Sequence, residues 1–259
     1  MIITTWNVNS IKARLDLVID YLVRKKPDVL LLQEIKTESK SFPMDQITQL
    51  GYFAESYGQK SYNGVAIISK YEIKNITYGL PSFKEDKQAR YIEADINNLR
   101  IASLYLPNGN PINSDKYDYK IKWMEKLYEH IINLLENEKN FILGGDWNIA
   151  PESIDVFDSS TMENDAVFNI ESKIYFRKIQ NLGLTDAFRC RNPNLINAYT
   201  YFDYQRRSWE NNLGLRIDHL MLSPWIADKL KDANIETSER GKERPSDHVP
   251  IWCKLESLN

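Results

Sequence analysis

The stretch FILGGDWNIAP, residues 141–151, sets the architecture of this chain. Three apolar residues lead into two glycines, and Asp146 and Asn148 follow at once. A short apolar run bounded by glycine has the pattern of a buried strand. The spacing predicts one over Asn140–Gly144 with polar groups at its end. The same arrangement recurs along the sequence. Asn7 closes the first apolar run, Glu34 closes VLLLQE, and Tyr105 stands near the end of RIASLYLPNG. Asp218 interrupts GLRIDHLML, and Asp247 and His248 precede VPIWCKL. Six apolar segments, far apart in sequence, thus deliver oxygen-bearing or imidazole groups at one end.

Working outward, strands are predicted over Ile2–Val8, Asp28–Gln33, Val65–Ser69, Arg90–Asp95, Leu99–Leu106, Arg216–Leu222 and Val249–Leu255. Ile11–Lys26 reads as a helix. Its apolar residues follow the 3.6-residue period, Ser10 can cap its start, and Lys25–Lys26–Pro27 ends it. A longer helix is expected from about Asp115 to Glu136, with Ile121, Met124, Leu127, Tyr128, Ile131, Leu134 and Leu135 inward. A third covers roughly Glu171–Leu182 and stops at Gly183. Strands alternating with amphipathic helices indicate a layered α/β fold. Such folds gather ligand sites at strand ends, where a rigid sheet positions groups that must not move.

The bulk properties narrow the class further. The chain has 259 residues, 42% of them apolar and 27% charged, the balance of a globular protein. No linker or composition shift divides it, so one domain over 1–259 is expected. Two isolated cysteines, Cys190 and Cys253, fit neither a disulfide framework nor a zinc site and point to a reducing compartment. The opening MIITTWNVNS lacks the basic flank and apolar core of a signal peptide. No apolar run approaches the ~18 residues that span a bilayer. A cytoplasmic protein without a membrane segment is the expectation.

A net charge of −3 is not that of a simple nucleic-acid binder. Local basic clusters matter more: Arg206, Arg207 and Arg216 surround one loop, and Arg240, Lys242 and Arg244 crowd another. Such clusters are ordinarily solvated surface, but these lie beside the polar strand ends.

A carboxylate after a strand is ordinarily a turn former or helix cap. Asp218 is different, because a carboxylate inside an apolar run costs several kcal/mol or so to bury without a partner. His248, one of only three histidines, is the attractive partner. The set suits phosphodiester hydrolysis, which needs charge neutralisation, an oriented water and support for the leaving oxygen. Glu34 is the kind of hard oxygen ligand that Mg²⁺ takes, and Asn7 can hold the metal or its water. Asp146 can align the attacking water, and Asn148 can fix it or the phosphate. His248, oriented by Asp218, can face a phosphoryl oxygen, and Tyr105 offers its hydroxyl to the same phosphate.

The runs TWNVNSI, PDVLLLQEIK, GYFAESYGQKSYNGVAI, LYLPNG, GGDWNIAP, LGLTDAFR, YFDY, GLRIDHLMLS and RPSDHVPIW, in this order, resemble the successive motifs of the exodeoxyribonuclease III family. These are the apurinic/apyrimidinic endonucleases within the wider endonuclease/exonuclease/phosphatase fold. The resemblance implies a four-layer α/β sandwich, two packed mixed sheets flanked by helices. It implies Mg²⁺ or Mn²⁺ dependence, cleavage of duplex DNA 5′ to abasic sites, and 3′-exonuclease and 3′-phosphatase activity on blocked 3′ ends. By position it makes Glu34 the metal-binding glutamate with Asn7 beside it, and Tyr105 the phosphate contact. Asp146 and Asn148 become the acid and amide that align the water and stand at the metal. Asp218 becomes the partner of His248, and Asp247 an acid at the metal site.

The same resemblance implies that an abasic sugar flips out of the duplex into a small apolar pocket, walled by Tyr201, Leu215 and Ile217. Leu215 is smaller than the tryptophan some relatives carry there. The loop QRRSWENN, residues 205–212, would press Arg206, Arg207 or Trp209 against the DNA groove. Two other readings compete. A sister enzyme of the same fold acting on phosphoinositides, sphingomyelin or RNA tails usually differs around GLRID and YFDY. A catalytically silent DNA-binding module fits poorly with an intact catalytic set and a net charge of −3. A monomeric DNA-repair enzyme is the expectation.

Overall fold

The computed structural model describes residues 1–137 and 140–256. Twelve strands and six α-helices alternate among these residues. The first half holds β1 (Ile2–Asn7), α1 (Ile11–Lys25), β2 (Val29–Gln33), α2 (Met44–Thr48), β3 (Phe53–Tyr57), β4 (Val65–Ser69), β5 (Lys74–Tyr78), β6 (Tyr91–Ile96) and β7 (Leu99–Tyr105). The second half holds α3 (Asp115–Asn137), β8 (Phe141–Asp146), α4 (Ile170–Asn181), β9 (Thr185–Asp186), α5 (Ala187–Arg191), β10 (Asp218–Leu222), α6 (Pro224–Ala227), β11 (Leu230–Ile235) and β12 (Ile251–Leu255). They form two mixed six-stranded sheets, ordered β11-β12-β1-β2-β4-β3 and β5-β6-β7-β8-β10-β9.

Side chains alternate across each strand, and here both faces are apolar because both are covered. Ile3, Val29, Leu31, Val65 and Ile67 of the first sheet meet Ile92, Ala94, Ile101, Ile142, Leu220 and Leu222 of the second in one core. The opposite face of the first sheet, with Leu30, Leu32, Ala66 and Ile68, packs on Ile11, Val18, Tyr21 and Leu22 of α1. The opposite face of the second, with Ala102, Leu104, Leu143 and Met221, packs on Trp123, Met124, Leu127 and Ile131 of α3 and Phe176 and Ile179 of α4. The expected sandwich of two mixed sheets between helices is the observed one.

The central strands match their expected positions to within a residue or two. The four strands that sequence patterning does not reveal, β3, β5, β9 and β11, are the four sheet edges. Ser10 caps α1 as expected, its side chain accepting from Ala13 N, and Lys26 closes that helix in the left-handed conformation. Asn169 caps α4 one residue earlier than the pattern indicates. Both cysteines are unpaired, Cys253 buried and Cys190 exposed. No helix among the described residues is long and apolar enough to cross a membrane.

Two parallel pairs position the polar strand ends. A parallel pair requires a crossover, supplied by α1 between β1 and β2 and by α3 between β7 and β8. Register places Asn7 beside Gln33 in the first sheet. In the second it places Tyr105 beside Asp146, and Asp146 opposite Asp218. Gln33 also joins the sheets directly: its amide donates to Ser103 Oγ of the second sheet at 3.0 Å and, within its own sheet, to Thr5 Oγ1 at 2.9 Å.

The two glycines of β8 set how closely these strands approach. A Cβ at Gly144 would lie 2.5 Å from Leu31 Cδ1 in the other sheet and 2.8 Å from Leu220 Cδ2. A Cβ at Gly145 would lie 1.9 Å from the Leu104 carbonyl oxygen. Backbone cannot yield as a side chain can, so Gly145→Ala is expected to destabilise the protein by at least about 2 kcal/mol. A urea midpoint equal to that of the unsubstituted protein would contradict the close approach of β7 and β8.

Candidate active site

The strand ends converge on a cleft of about 360 Å³ lined by Glu34, Tyr105, Asp146, Asn148, Asp247 and His248, with Tyr201, Leu215 and Ile217 on one side. Ligand atoms of Glu34, Asp146 and His248 lie within 4.8 Å of one another. The Asn7 amide nitrogen joins the two acids, donating to Glu34 Oε1 at 2.8 Å and to Asp146 Oδ2 at 2.9 Å. Asn7 Oδ1 accepts the Asn9 main-chain N–H.

Glu34 follows β2 in the left-handed region, at φ 48°. That conformation costs a residue with a Cβ on the order of 1 kcal/mol. Surrounding main-chain bonds hold it: Ser10 N–H to Glu34 O at 2.7 Å, and Ile35 N–H to Gly64 O at 3.2 Å. Lys36 pairs with Glu34 Oε2 at 2.8 Å. Burial raises the Glu34 pKa, but the charge of Lys36 and the hydrogen bond from Asn7 outweigh it, and the carboxyl stays below its ordinary value.

Asp146, at the end of β8, is 1% exposed. Burial raises its pKa, the neighbouring Asp218 and Glu34 add to the rise, and His248 opposes it. Its Oδ1 accepts the Asn148 main-chain N–H at 2.9 Å. His248 Nδ1 is hydrogen bonded to Asp218 Oδ2 at 2.8 Å, and its Nε2 lies 3.8 Å from Asp146 Oδ2. The partnership expected of Asp218 and His248 is present in the structure. Burial disfavours the imidazolium, but Asp218 and Asp146 prevail and raise the His248 pKa. The second oxygen of Asp218 has no hydrogen-bond partner among the described residues, so its charge is compensated chiefly through His248.

The other expected residues fall into distinct places. Asn148, also in the left-handed region at φ 48°, donates its amide to Leu106 O at 2.9 Å and accepts from Asn108 Nδ2 at 3.0 Å. Asp247 lines the cleft but bonds to Asn9 Nδ2 at 3.0 Å, outside the Glu34–Asp146–His248 group. Tyr105 lies under Arg90, whose guanidinium is 4.8 Å from the ring centroid. Leu215 and Ile217 belong to an apolar cluster with Val167, against which Tyr201 packs. The Tyr201 ring is 5.0 Å from that of His248. Arg206 and Arg207 are exposed and outside the cleft lining, and Trp209 packs against Phe202 at 5.0 Å.

One expectation is corrected outright. Arg216 is no surface cation beside a loop; it is fully buried, paired with Asp155 and Asp186 at 2.7 Å each. Of the second basic cluster, Arg240 is also buried. Sequence reading assigned no role to Asn108, Asn110, Asp165 or Val167, which line the cleft. Asn108 was within sight, since it lies in LYLPNG. Asp165 and Val167 sit in an irregular segment with no strand or helix period to mark them.

Two packed mixed sheets, with acids and a histidine collected at their shared edge, define a class of hydrolase built on strand ends. Residues 4–248 match the Endonuclease/Exonuclease/phosphatase family, and the chain belongs to that family, in its exodeoxyribonuclease III branch. Exodeoxyribonuclease III of Haemophilus influenzae is 32% identical over 265 residues, covering 97% of this chain and 98% of that protein. The fold is similar to the 3′ phosphatase NExo from Neisseria bound to product DNA hairpin, with TM-score 0.97, 36% identity and 99% and 100% of the two chains covered. It is similar also to an AP endonuclease from Archaeoglobus fulgidus, with TM-score 0.94, 35% identity and 99% and 100% covered.

Arg216→Met leaves two buried carboxylates short of their partner and is expected to lower stability by about 3–5 kcal/mol. The salt dependence of DNA binding by the folded variant should be unchanged, since the residue reaches no phosphate. A shallower salt dependence would return Arg216 to the surface.

Proposed function

We propose that this chain is a DNA-repair phosphodiesterase. It incises duplex DNA on the 5′ side of abasic sites and trims blocked 3′ ends, with Mg²⁺ or Mn²⁺. The observation that carries the reading is the convergence of Glu34, Asp146 and His248 within 4.8 Å in one cleft. The relatives named for exodeoxyribonuclease, AP endonuclease and 3′ phosphatase activity support it. The chain acts as a monomer, and two unpaired cysteines fit the reducing cytoplasm.

The donors suit a hard divalent cation: Glu34 and Asp146 offer carboxylate oxygens, with Asn7 fixing both and Asp247 nearby. When bound, such an ion neutralises charge on the phosphate and supports the leaving oxygen. The chain's own groups supply the rest. Asp146 as a carboxylate accepts the proton of the attacking water and aligns it, one oxygen being fixed by the Asn148 N–H. His248, held at Nδ1 by Asp218, turns Nε2 to a phosphoryl oxygen. Asn148 has its amide committed to Leu106 and Asn108, so it acts by holding Asn108 in the cleft. Tyr105 contacts the same phosphate. Tyr201, Leu215, Ile217 and Val167 receive the flipped abasic sugar, and their close packing excludes a nucleotide that carries its base. Arg206, Arg207 and Trp209 lie on the loop that approaches the DNA groove.

A second reading, 3′-phosphatase activity without abasic incision, is favoured by the similarity to the Neisseria 3′ phosphatase. One assay separates the two. A labelled duplex carrying one tetrahydrofuran abasic analogue should be nicked with Mg²⁺ at least about 100-fold faster than intact duplex, and Glu34→Gln should lower that rate by about 100-fold or more. Equal rates on both duplexes would mean a nonspecific nuclease. Removal of a 3′-phosphate without nicking would favour the second reading.

Asp218 and His248 act as one unit in this scheme. The double variant Asp218→Asn, His248→Asn should therefore lose little more activity than the worse single variant. A fully multiplicative loss in kcat would show that the two act separately.

A further inference from the structure

Helix α3 buries a lysine among the apolar residues that face the second sheet. Lys120 is fully buried, and among the described residues its ammonium pairs with no carboxylate. It donates instead to three main-chain carbonyls: Asn108 O at 3.0 Å, Asn148 O at 2.7 Å and Ala166 O at 2.9 Å. An ammonium has three protons, and all three are used. Burial disfavours the ammonium, opposed by the charges of Asp165 and Asp146, and an apolar residue would fill this position on the helix at less cost. The site is shaped around the lysine stem. Gly109 has φ 87°, and a Cβ there would lie 2.6 Å from Lys120 Cδ and 3.1 Å from Lys120 Cβ.

The three carbonyls belong to two loops that border the cleft, one of them held near its start and near its end. Asn108 follows β7, Asn148 follows β8, and Ala166 lies in the connection from β8 to α4. Asn108 and Asn148 line the cleft themselves, and Ala166 stands between two lining residues, Asp165 and Val167. The same loops are joined a second time by side chains, Asn108 Nδ2 to Asn148 Oδ1 at 3.0 Å and Asn110 Nδ2 to Asp165 Oδ1 at 3.0 Å. Ser172 Oγ adds a further bond to Ala166 O at 2.9 Å.

We infer that Lys120 is a positioning residue for this site, fixing two loops, one of them at two points, at a single nitrogen so that Asn108, Asn148 and the Val167 wall keep their places relative to Asp146. The inference rests on the phosphodiesterase reading above. Lys120 touches no substrate, so its removal acts on the alignment of reacting groups rather than on DNA capture. A misplacement of about 1 Å in such groups costs roughly 100-fold in rate.

The test measures kcat and KM per folded molecule on the tetrahydrofuran duplex for the unsubstituted protein, Lys120→Met and Gly109→Ala. Lys120→Met, which keeps the length of the stem and loses the donors, should lower kcat about 100-fold with KM within about 3-fold. Gly109→Ala keeps the ammonium but crowds its stem, and should lower kcat about 10-fold. A purely structural role would lower the melting temperature and leave kcat per folded molecule unchanged. That result for a folded Lys120→Met overturns the inference. If Lys120→Met does not fold, an unchanged kcat in Gly109→Ala overturns it. An unsubstituted protein that leaves the duplex intact removes the functional reading itself, a failure distinguishable from the other two.

Discussion

The burial of like charges at one edge of the sandwich governs the rest of this structure. Asp146 and Asp218 face each other across the antiparallel pairing of β8 and β10, 1% and 0% exposed. Glu34 stands close to Asp146 from the other sheet. Carboxylates taken out of water need partners. The Asn7 amide bonds to two of them, His248 to Asp218, and Lys36 to Glu34. What is left over is negative charge around an open space, which suits a cation and an anionic phosphate together. A group of acids that repel one another is stable only if the fold enforces their approach, and here the strand register does so.

The enforcement is spread over both sheets. Each parallel pair brings two strand ends to the same edge, and the Gln33–Ser103 bond joins the sheets just below the site. Gly144 and Gly145 let β8 sit closer to Leu31 and β7 than any side chain would allow. Glu34 and Asn148 both adopt left-handed backbone at the points where their strands end. Strain at these two positions is compensated by the packing and hydrogen bonds around them. The buried cluster of Arg216, Asp155, Asp186 and His219 anchors the entry to β10, and with it Ile217 and Asp218.

Much of this was legible before folding. Strands covered on both faces leave unbroken apolar runs such as VLLLQ, and a polar residue that ends such a run stands out. Edge strands leave no such trace. β3 and β5 read FAESY and KNITY and are half solvated, and β11 reads LKDANI with exposed residues in its middle. Hydrogen bonding to one neighbour places them, and periodicity carries little of that information. Charged residues misled for a related reason. Sequence spacing put Arg216 beside Arg206 and Arg207, yet it turns inward to two acids more than 25 residues away in the chain.

The sequence by itself determined the layer architecture, the central strands, and which polar residues, Asn7, Glu34, Asp146, Asp218 and His248, end or interrupt apolar segments. That is a local property, which one dimension preserves. Only the tertiary structure decided which polar side chains face which. It set Asn148 on Asn108 and Leu106, Asp247 on Asn9, and Lys120 on three carbonyls. Partner choice of this kind depends on the meeting of loops distant in sequence, each too irregular to carry a period of its own.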